Sequence, residues 1–329
     1  MTVLRLGTRA STLATTQSRM VADELRARGL EVELATVTTH GDVSGEPLSS
    51  MGGTGVFASA IRSELVAGRC DLAVHSFKDL PTSHPLGLTV AAVPVREDPR
   101  DALVARDGMG LADLPAGAQV GTGSPRRAAQ VLAARPDLRV VDIRGNVGTR
   151  LGRVPGLGHL ARDGGREDLD AVVVALAGVV RLGHGEVVTE VLDPDVMLPA
   201  PAQGALAVEC RAAEVRGTDL GRALADLDDQ PTRLAVTAER AALARLEAGC
   251  AAPVGCLAGL EAGDRLRLRG AVVALDGARS VHEEAVVELP DEPQARLAAA
   301  HALGVGLAED LLEAGAGEVA DLSASGVRR

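Results

Sequence analysis

Short β-branched runs alternate with helical patterns through the first two thirds of this 329-residue chain, and that rhythm restricts the fold more than any other feature. The strand candidates are Val3 to Leu6, Glu31 to Val37, Asp71 to Val74, Leu88 to Val93, Gln119 to Gly121, Arg139 to Ile143 and Asp170 to Val174. Between the first two, Leu13, Gln17, Met20, Val21 and Leu25 recur near a helical period, and the segment stops at Gly29. Such alternation predicts α/β domains with mostly parallel sheets. After about Arg216 the order changes to helices over Leu220 to Leu227 and Thr232 to Glu247, strands near Leu257 to Leu260, Leu266 to Leu275 and His282 to Leu289, and a helix from Gln294 to Glu313. That pattern predicts an α+β domain with a small antiparallel sheet.

The length exceeds one ordinary domain. Proline-rich breaks near Val95 to Asp101 and Asp193 to Gly204 mark candidate boundaries. With two Phe and no Trp or Tyr, the cores must be built from Ala, Val and Leu. The same scarcity removes the stacking platforms of single-stranded nucleic-acid binders, and a net charge of −11 opposes a nucleic-acid partner further. Charge is unevenly distributed, however: Gly121 to Arg153 carries seven arginines against Asp137 and Asp142, a local net of +5. A small anionic ligand fits that concentration better than a polymer does. The N-terminus lacks an export-signal pattern, and the apolar stretch Ala171 to Val180 is too short to span a bilayer, so a soluble, cytoplasmic protein with no membrane partner is expected.

Cys70, Cys210, Cys250 and Cys256 show neither C-x-x-C spacing nor histidines at ligand intervals, so no metal site and no disulfide framework is expected. Cys70 and Cys210, beside apolar strand-like runs, read as core residues. Cys250 differs in lying on a run of small residues, Gly249-Cys250-Ala251-Ala252, with space beside its sulfur.

Three strand ends run into helix starts in one manner: Gly7-Thr8-Arg9-Ala10-Ser11, Gly121-Thr122-Gly123-Ser124-Pro125-Arg126-Arg127 and Arg144-Gly145-Asn146-Val147-Gly148-Thr149-Arg150. Each combines a cap residue, free backbone N–H groups and a guanidinium able to clamp a carboxylate or phosphate. Pro125 suits a first helical position. Gly41 to Gly55, with five glycines and Pro47, reads as a lid or as a plain surface loop. Lys78 is the single lysine beside 33 arginines, and it precedes Asp79 at a strand end, where open α/β sheets place ligand residues. Among arginines, Asp79 is suited to steadying a developing cation. These features by themselves leave open an enzyme, a two-lobed solute-binding protein or a phosphate-binding regulator.

The residues resemble the porphobilinogen deaminase family, also called hydroxymethylbilane synthase, over nearly the whole chain. The resemblance rests on Val74-His75-Ser76-Phe77-Lys78-Asp79-Leu80-Pro81, Arg96-Glu97-Asp98-Pro99-Arg100-Asp101-Ala102, Arg144 to Leu151, Leu198-Pro199-Ala200 with Gln203-Gly204, and Ala238-Glu239-Arg240 running to Gly249-Cys250. It implies two periplasmic-binding-protein-like (type II) lobes and a C-terminal domain: residues 1–95 with 195–212, residues 96–194, and residues 213–329. It implies a transferase that condenses four porphobilinogens head to tail with loss of ammonia, giving the linear tetrapyrrole hydroxymethylbilane by way of a final hydrolysis. It further implies a dipyrromethane cofactor bonded to Cys250 through a thioether, and a monomer.

Carried over by position, Asp79 matches the catalytic carboxylate. Ser76, Lys78, Asp79, Thr122, Ser124, Arg126, Arg127 and Arg144 match cofactor-binding residues; Arg9, Ser11, Phe57, Arg144, Arg150 and Arg181 match substrate-binding residues. The chain departs from the family at several places. Ser50 and Thr54 stand where lid lysines are frequent, Gly123 where serine is common, and Ala202 and Ala248 where glycine is usual, while Cys256 is an additional thiol.

Overall fold

The computed structural model describes residues 3–37, 55–83, 85–249 and 252–322, and of residues 55–57 the backbone alone. The chain forms two compact units, Met1–Glu97 with Gly204–Val236, and Asp98–Gln203 with Thr237–Arg329.

In the first unit, strands β1 (Leu4–Thr8), β2 (Val32–Thr36), β3 (Leu72–Ser76), β4 (Leu88–Ala92) and the later β10 (Leu206–Arg211) form a sheet in the order β2-β1-β3-β10-β4. β1 pairs parallel with β2 and β3, whereas β10 runs antiparallel to both β3 and β4. Alternation along β3 sends Leu72 and Val74 into one apolar layer and Ala73 into the opposite one. Helix α1 (Thr12–Ala27) covers the first layer through Val21, Ala22 and Leu25, and helix α2 (Gly55–Val66) covers the second through Ile61 and Leu65.

The second unit holds β5 (Asp101–Ala105), β6 (Gln119–Gly121), β7 (Arg139–Val141), β8 (Ala171–Ala175) and β9 (Glu190–Val191) in the order β7-β6-β8-β5-β9. Here β6 pairs parallel with β7 and β8, and β5 is the reversed strand. Helices α3 (Pro125–Ala134), α4 (Val147–Leu151) and α5 (Leu176–Arg181) follow β6, β7 and β8. Both sheets are therefore mixed: four strands share a direction and one opposes them. Sequence periodicity missed the two reversed strands and the two-residue β9. β5 is buried at every position, so its pattern carries no alternation, and β10 acquires its place only when the chain returns to the first unit.

Helix α6 (Asp219–Leu227) belongs to the first unit, and helix α7 (Gln230–Arg245) passes from the first unit to the second. Strands β11 (Val254–Glu261), β12 (Arg265–Val273) and β13 (Ser280–Glu288) then make an antiparallel sheet, backed by α8 (Pro293–Glu313) and followed by α9 (Ala316–Val319).

The units divide the chain differently from the expected boundaries at 195, 212 and 213. Residues 195–203 stay with the second unit, because Met197 packs in its core and Leu198 bonds to Gln130 through N–H at 2.8 Å. Residues 213–236 stay with the first unit, because Leu220, Ala223, Leu224 and Leu227 pack against the α1 face. The C-terminal sheet shares an apolar cluster with α3, made of Ala129, Leu198, Ala271 and Val273, so it counts within the second unit.

At the root of that unit Asp101 is fully buried (0% exposed) between two guanidiniums that are also buried, Arg126 at 4% and Arg127 at 5%. Arg126 Nη1 donates to Asp101 Oδ2 at 2.7 Å and to the Leu198 carbonyl at 2.6 Å. Arg127 Nε donates to Asp101 Oδ1 at 2.9 Å, and Gln203 Nε2 donates to the same oxygen at 2.7 Å and to the Pro99 carbonyl at 2.8 Å. Burial alone would raise the Asp101 carboxyl, but the two guanidiniums outweigh it and hold the group far below the usual carboxylate range.

Two outcomes are expected. Because the folded value is depressed, the stabilisation from Asp101 is complete above the unfolded carboxylate value of about 4 and drains away as pH falls through the folded one. Asp101→Asn, which leaves two buried cations with a neutral partner, should cost about 3–5 kcal/mol at pH 7. In denaturant unfolding, the gap between variant and parent should narrow below about pH 4. Separately, burial raises the thiols of Cys70 and Cys210, the latter to about 11. Alkylating reagent at pH 8 should therefore leave both unmodified in the native protein and label both after unfolding, as read by peptide mass.

Candidate active site

In the first unit the parallel pairing of β1 with β3, in register Gly7↔Ala73, sets the turn after β1 beside the turn after β3. The first turn carries Arg9 and Ser11. Ser11 is the N-cap of α1, its hydroxyl accepting from Ala14 N–H at 3.3 Å. The second is a 3₁₀ turn, Phe77–Asp79, entered from Ser76. Ser76 Oγ is 3.1 Å from Gln17 Oε1, which ties α1 to the end of β3. Phe77 is buried, its N–H donating to the Ala205 carbonyl at 3.0 Å, while Lys78 is half-buried and Asp79 exposed. A buried aromatic thus roots the turn and leaves the carboxylate accessible at the carboxyl end of the sheet.

In the second unit β7, β6 and β8 lie side by side and parallel, so the segments following them share one edge. After β6, Thr122 N–H donates to the Val141 carbonyl at 3.0 Å, and Thr122 Oγ1 accepts from Ser124 N–H at 3.2 Å. Ser124 is the N-cap of α3, yet its hydroxyl makes no capping bond. Gly123 is pressed against the β7 segment: a Cβ there would lie well inside van der Waals contact of the Ile143 carbonyl oxygen. A side chain at Gly123 would therefore have to displace main chain.

After β7, Arg144 is exposed, its Nε 3.8 Å from Asp142 Oδ2. Gly145 has φ +101, a left-handed conformation that a side chain would strain. Asn146 caps α4 by accepting from Thr149 N–H at 2.9 Å, and Arg150 Nε donates to the Gly145 carbonyl at 2.9 Å. Arg181 ends α5 after β8.

The structure thus groups Arg9, Ser11, Ser76, Lys78 and Asp79 in one unit, and Thr122, Ser124, Arg126, Arg127, Arg144, Arg150 and Arg181 in the other. Arg126 and Arg127 differ from the other arginines in being committed to Asp101 within the chain. Arg126 retains capacity, since its buried Nε has no hydrogen-bond partner among the described residues. Arg127 spends its donors on Asp101, on the Val173 carbonyl at 3.4 Å and on Gln203 Oε1 at 3.3 Å. Asp101 itself was missed as a site residue, although it lies inside the Asp98-Pro99-Arg100-Asp101 motif. Cys250, Ser50, Thr54 and most of the Gly41 to Gly55 segment lie outside the described residues, and so does the side chain of Phe57. On either side of Cys250, Gly249 N–H donates to the Leu322 carbonyl at 3.3 Å and Ala252 N–H to the Gly249 carbonyl at 3.0 Å.

Cys70 and Cys210 are buried free thiols, and Cys256 is buried. Among the described residues there is no cluster of metal-ligating side chains, and no helix is long and apolar enough to cross a membrane.

Residues 4–219 match the family model for the porphobilinogen deaminase dipyrromethane cofactor binding domain, and residues 233–313 match that for the porphobilinogen deaminase C-terminal domain. A porphobilinogen deaminase of Cutibacterium acnes is 65% identical over 334 residues, covering 100% of both chains. One from Thermobifida fusca is 55% identical, covering 99% of this chain and 98% of its own. Among solved structures, the methionine-binding protein MetQ aligns at 11% identity and a TM-score of 0.39, over 68% of this chain and 89% of that one. Matched by both family models and by full-length relatives, the chain belongs to the porphobilinogen deaminase family.

Proposed function

We propose that this chain condenses four porphobilinogens head to tail, releasing ammonia at each addition and freeing the linear tetrapyrrole hydroxymethylbilane by a final hydrolysis. The observation that carries the reading is the Phe77–Asp79 turn, which presents Asp79 to solvent just past a central parallel strand, beside the chain's one lysine. Two mixed sheets, each with one reversed strand, with the chain passing from the first to the second after β4 and back before β10, support reading the units as periplasmic-binding-protein-like lobes of type II.

A dipyrromethane bears acetate and propionate groups and two pyrrole N–H groups, and the residues fit such a ligand. The buried Arg126 Nε without a partner and the uncapped Ser124 hydroxyl are donors that a carboxylate would satisfy. Thr122, Arg126, Arg127 and Arg144 would hold it from the second unit, and Ser76 and Lys78 from the first. When bound, through a thioether to Cys250, the group supplies the nucleophilic pyrrole carbon from which the chain grows. Arg9, Ser11, Phe57, Arg144, Arg150 and Arg181 are assigned to the incoming porphobilinogen.

In each addition the aminomethyl C–N bond breaks and ammonia leaves. The new C–C bond to the terminal ring would be balanced by loss of the proton from the ring carbon that forms it. Positive charge develops on pyrrole nitrogen as ammonia departs, and the Asp79 carboxylate offsets it. Arginine suits the carboxylate subsites because its planar fork takes both oxygens and remains charged.

Active material should weigh more than the polypeptide by two deaminated porphobilinogen units. Cys250→Ser should lose that mass and all turnover while keeping its melting transition; a thioether found on Cys256 instead would refute the attachment site. Asp79→Asn should keep the adduct but lower kcat about 100-fold or more, on the scale of losing one positioned electrostatic group. Turnover at the parental rate would make Asp79 structural.

A further inference from the structure

Opposite the α1 face of the first sheet lies a second buried charge cluster that the reaction as described does not use. Glu209 of β10 is 1% exposed in a layer otherwise made of Ile61, Leu65, Cys70, Ala73 and Leu88. Arg62 of α2 grips it as a fork, Nε lying 3.1 and 3.0 Å from the two carboxylate oxygens and Nη2 2.9 Å from Oε1. His75 of β3, 8% exposed, brings Nε2 to 3.3 Å from Oε2. Burial works against ionisation of Glu209, and the neighbouring His75 and Arg62 more than compensate, leaving the carboxyl below its usual range.

A buried ion pair of this kind contributes little net stability compared with well-packed apolar residues, so its presence points to a role in fixing geometry. The placement says which geometry. His75 immediately precedes Ser76 and the Phe77–Asp79 turn, and β10 pairs with β3 in the register Ala207↔His75. A slip of one residue between those strands would turn His75 and Glu209 to opposite faces. The strand end is thus flanked on both faces, by Ser76 beside Gln17 on one and, on the other, by His75 Nε2 3.3 Å from the Glu209 carboxylate that Arg62 grips.

The geometry points to Glu209, with Arg62 and His75, as positioning residues that set Asp79 for its work on the pyrrole nitrogens. This rests on the reading of Asp79 given above. Glu209 touches no reacting atom; it acts through the strand end on which Asp79 stands.

A double-mutant comparison on the holoenzyme tests it. Glu209→Gln preserves size but removes the charge that Arg62 and His75 share. Alone, it should lower kcat about 10-fold to 100-fold, as small misplacements of catalytic groups do, with KM within about twofold. In an Asp79→Asn background the same change should alter kcat less than about twofold, because residues acting as one unit are not additive. Equal factors in both backgrounds, a loss confined to KM, or an unchanged kcat for Glu209→Gln would each overturn the inference.

If Glu209→Gln shows no cooperative melting transition, Arg62→Lys carries the same comparison, since it keeps the charge but loses the fork. Parental turnover in Asp79→Asn alone would remove the catalytic reading of Asp79 and this role with it. Equal factors would remove this role only.

Discussion

A carboxylate sealed between two guanidiniums is the constraint around which the second unit is organised. Asp101 opens its first strand, Arg126 and Arg127 open the helix after β6, and Gln203 closes the unit before the chain returns to the first. Removing any one member would leave a buried charge or amide without its partner, so these segments hold each other in place. Gln203 reaches the Pro99 carbonyl as well as Asp101, and it thereby fastens the outgoing crossing to the returning one. The first turn of α3 is consequently fixed by its own arginines: Arg127 bonds to Asp101, the Val173 carbonyl and Gln203, while the Arg126 Nε keeps a donor without a partner among the described residues.

The first unit uses the same device for a different end. Glu209, Arg62 and His75 lie within an apolar layer behind the strand that carries Asp79, and Ser76 with Gln17 braces the other face. In each unit a carboxylate buried against arginine lies in the core beneath the sheet end that bears the proposed ligand residues. Low local polarity makes such clusters costly to distort, and that stiffness is what an electrostatic site needs if its dipoles are to be in place before the reaction begins.

Much of this was legible in the residues. The βαβ rhythm yielded seven strands of the two mixed sheets, and helical periodicity with cap residues located α1, α3 and α4. The lone lysine marks the Phe77–Asp79 turn. What escaped were features whose signal is not local. β5 reads as a short apolar run after a proline, and β10 is identified as a strand only by its pairing with β3 and β4. Asp101 and Glu209 look in sequence like surface carboxylates, since nothing within several residues announces that arginines from helices 25 and 147 positions away will meet them. Likewise nothing near Gly123 in sequence shows that the Ile143 carbonyl will press against it and leave no room for a side chain.

The sequence by itself determined the class of most segments, the aromatic-poor cores, the concentration of arginine and the family, because those follow from periodicity, composition and motif spacing. The tertiary structure decided which charges are buried, which arginines are already partnered, and which way β5 and β10 run. Those outcomes depend on contacts between residues remote in the chain, where burial changes the energy of a charge far more than any sequence neighbour does.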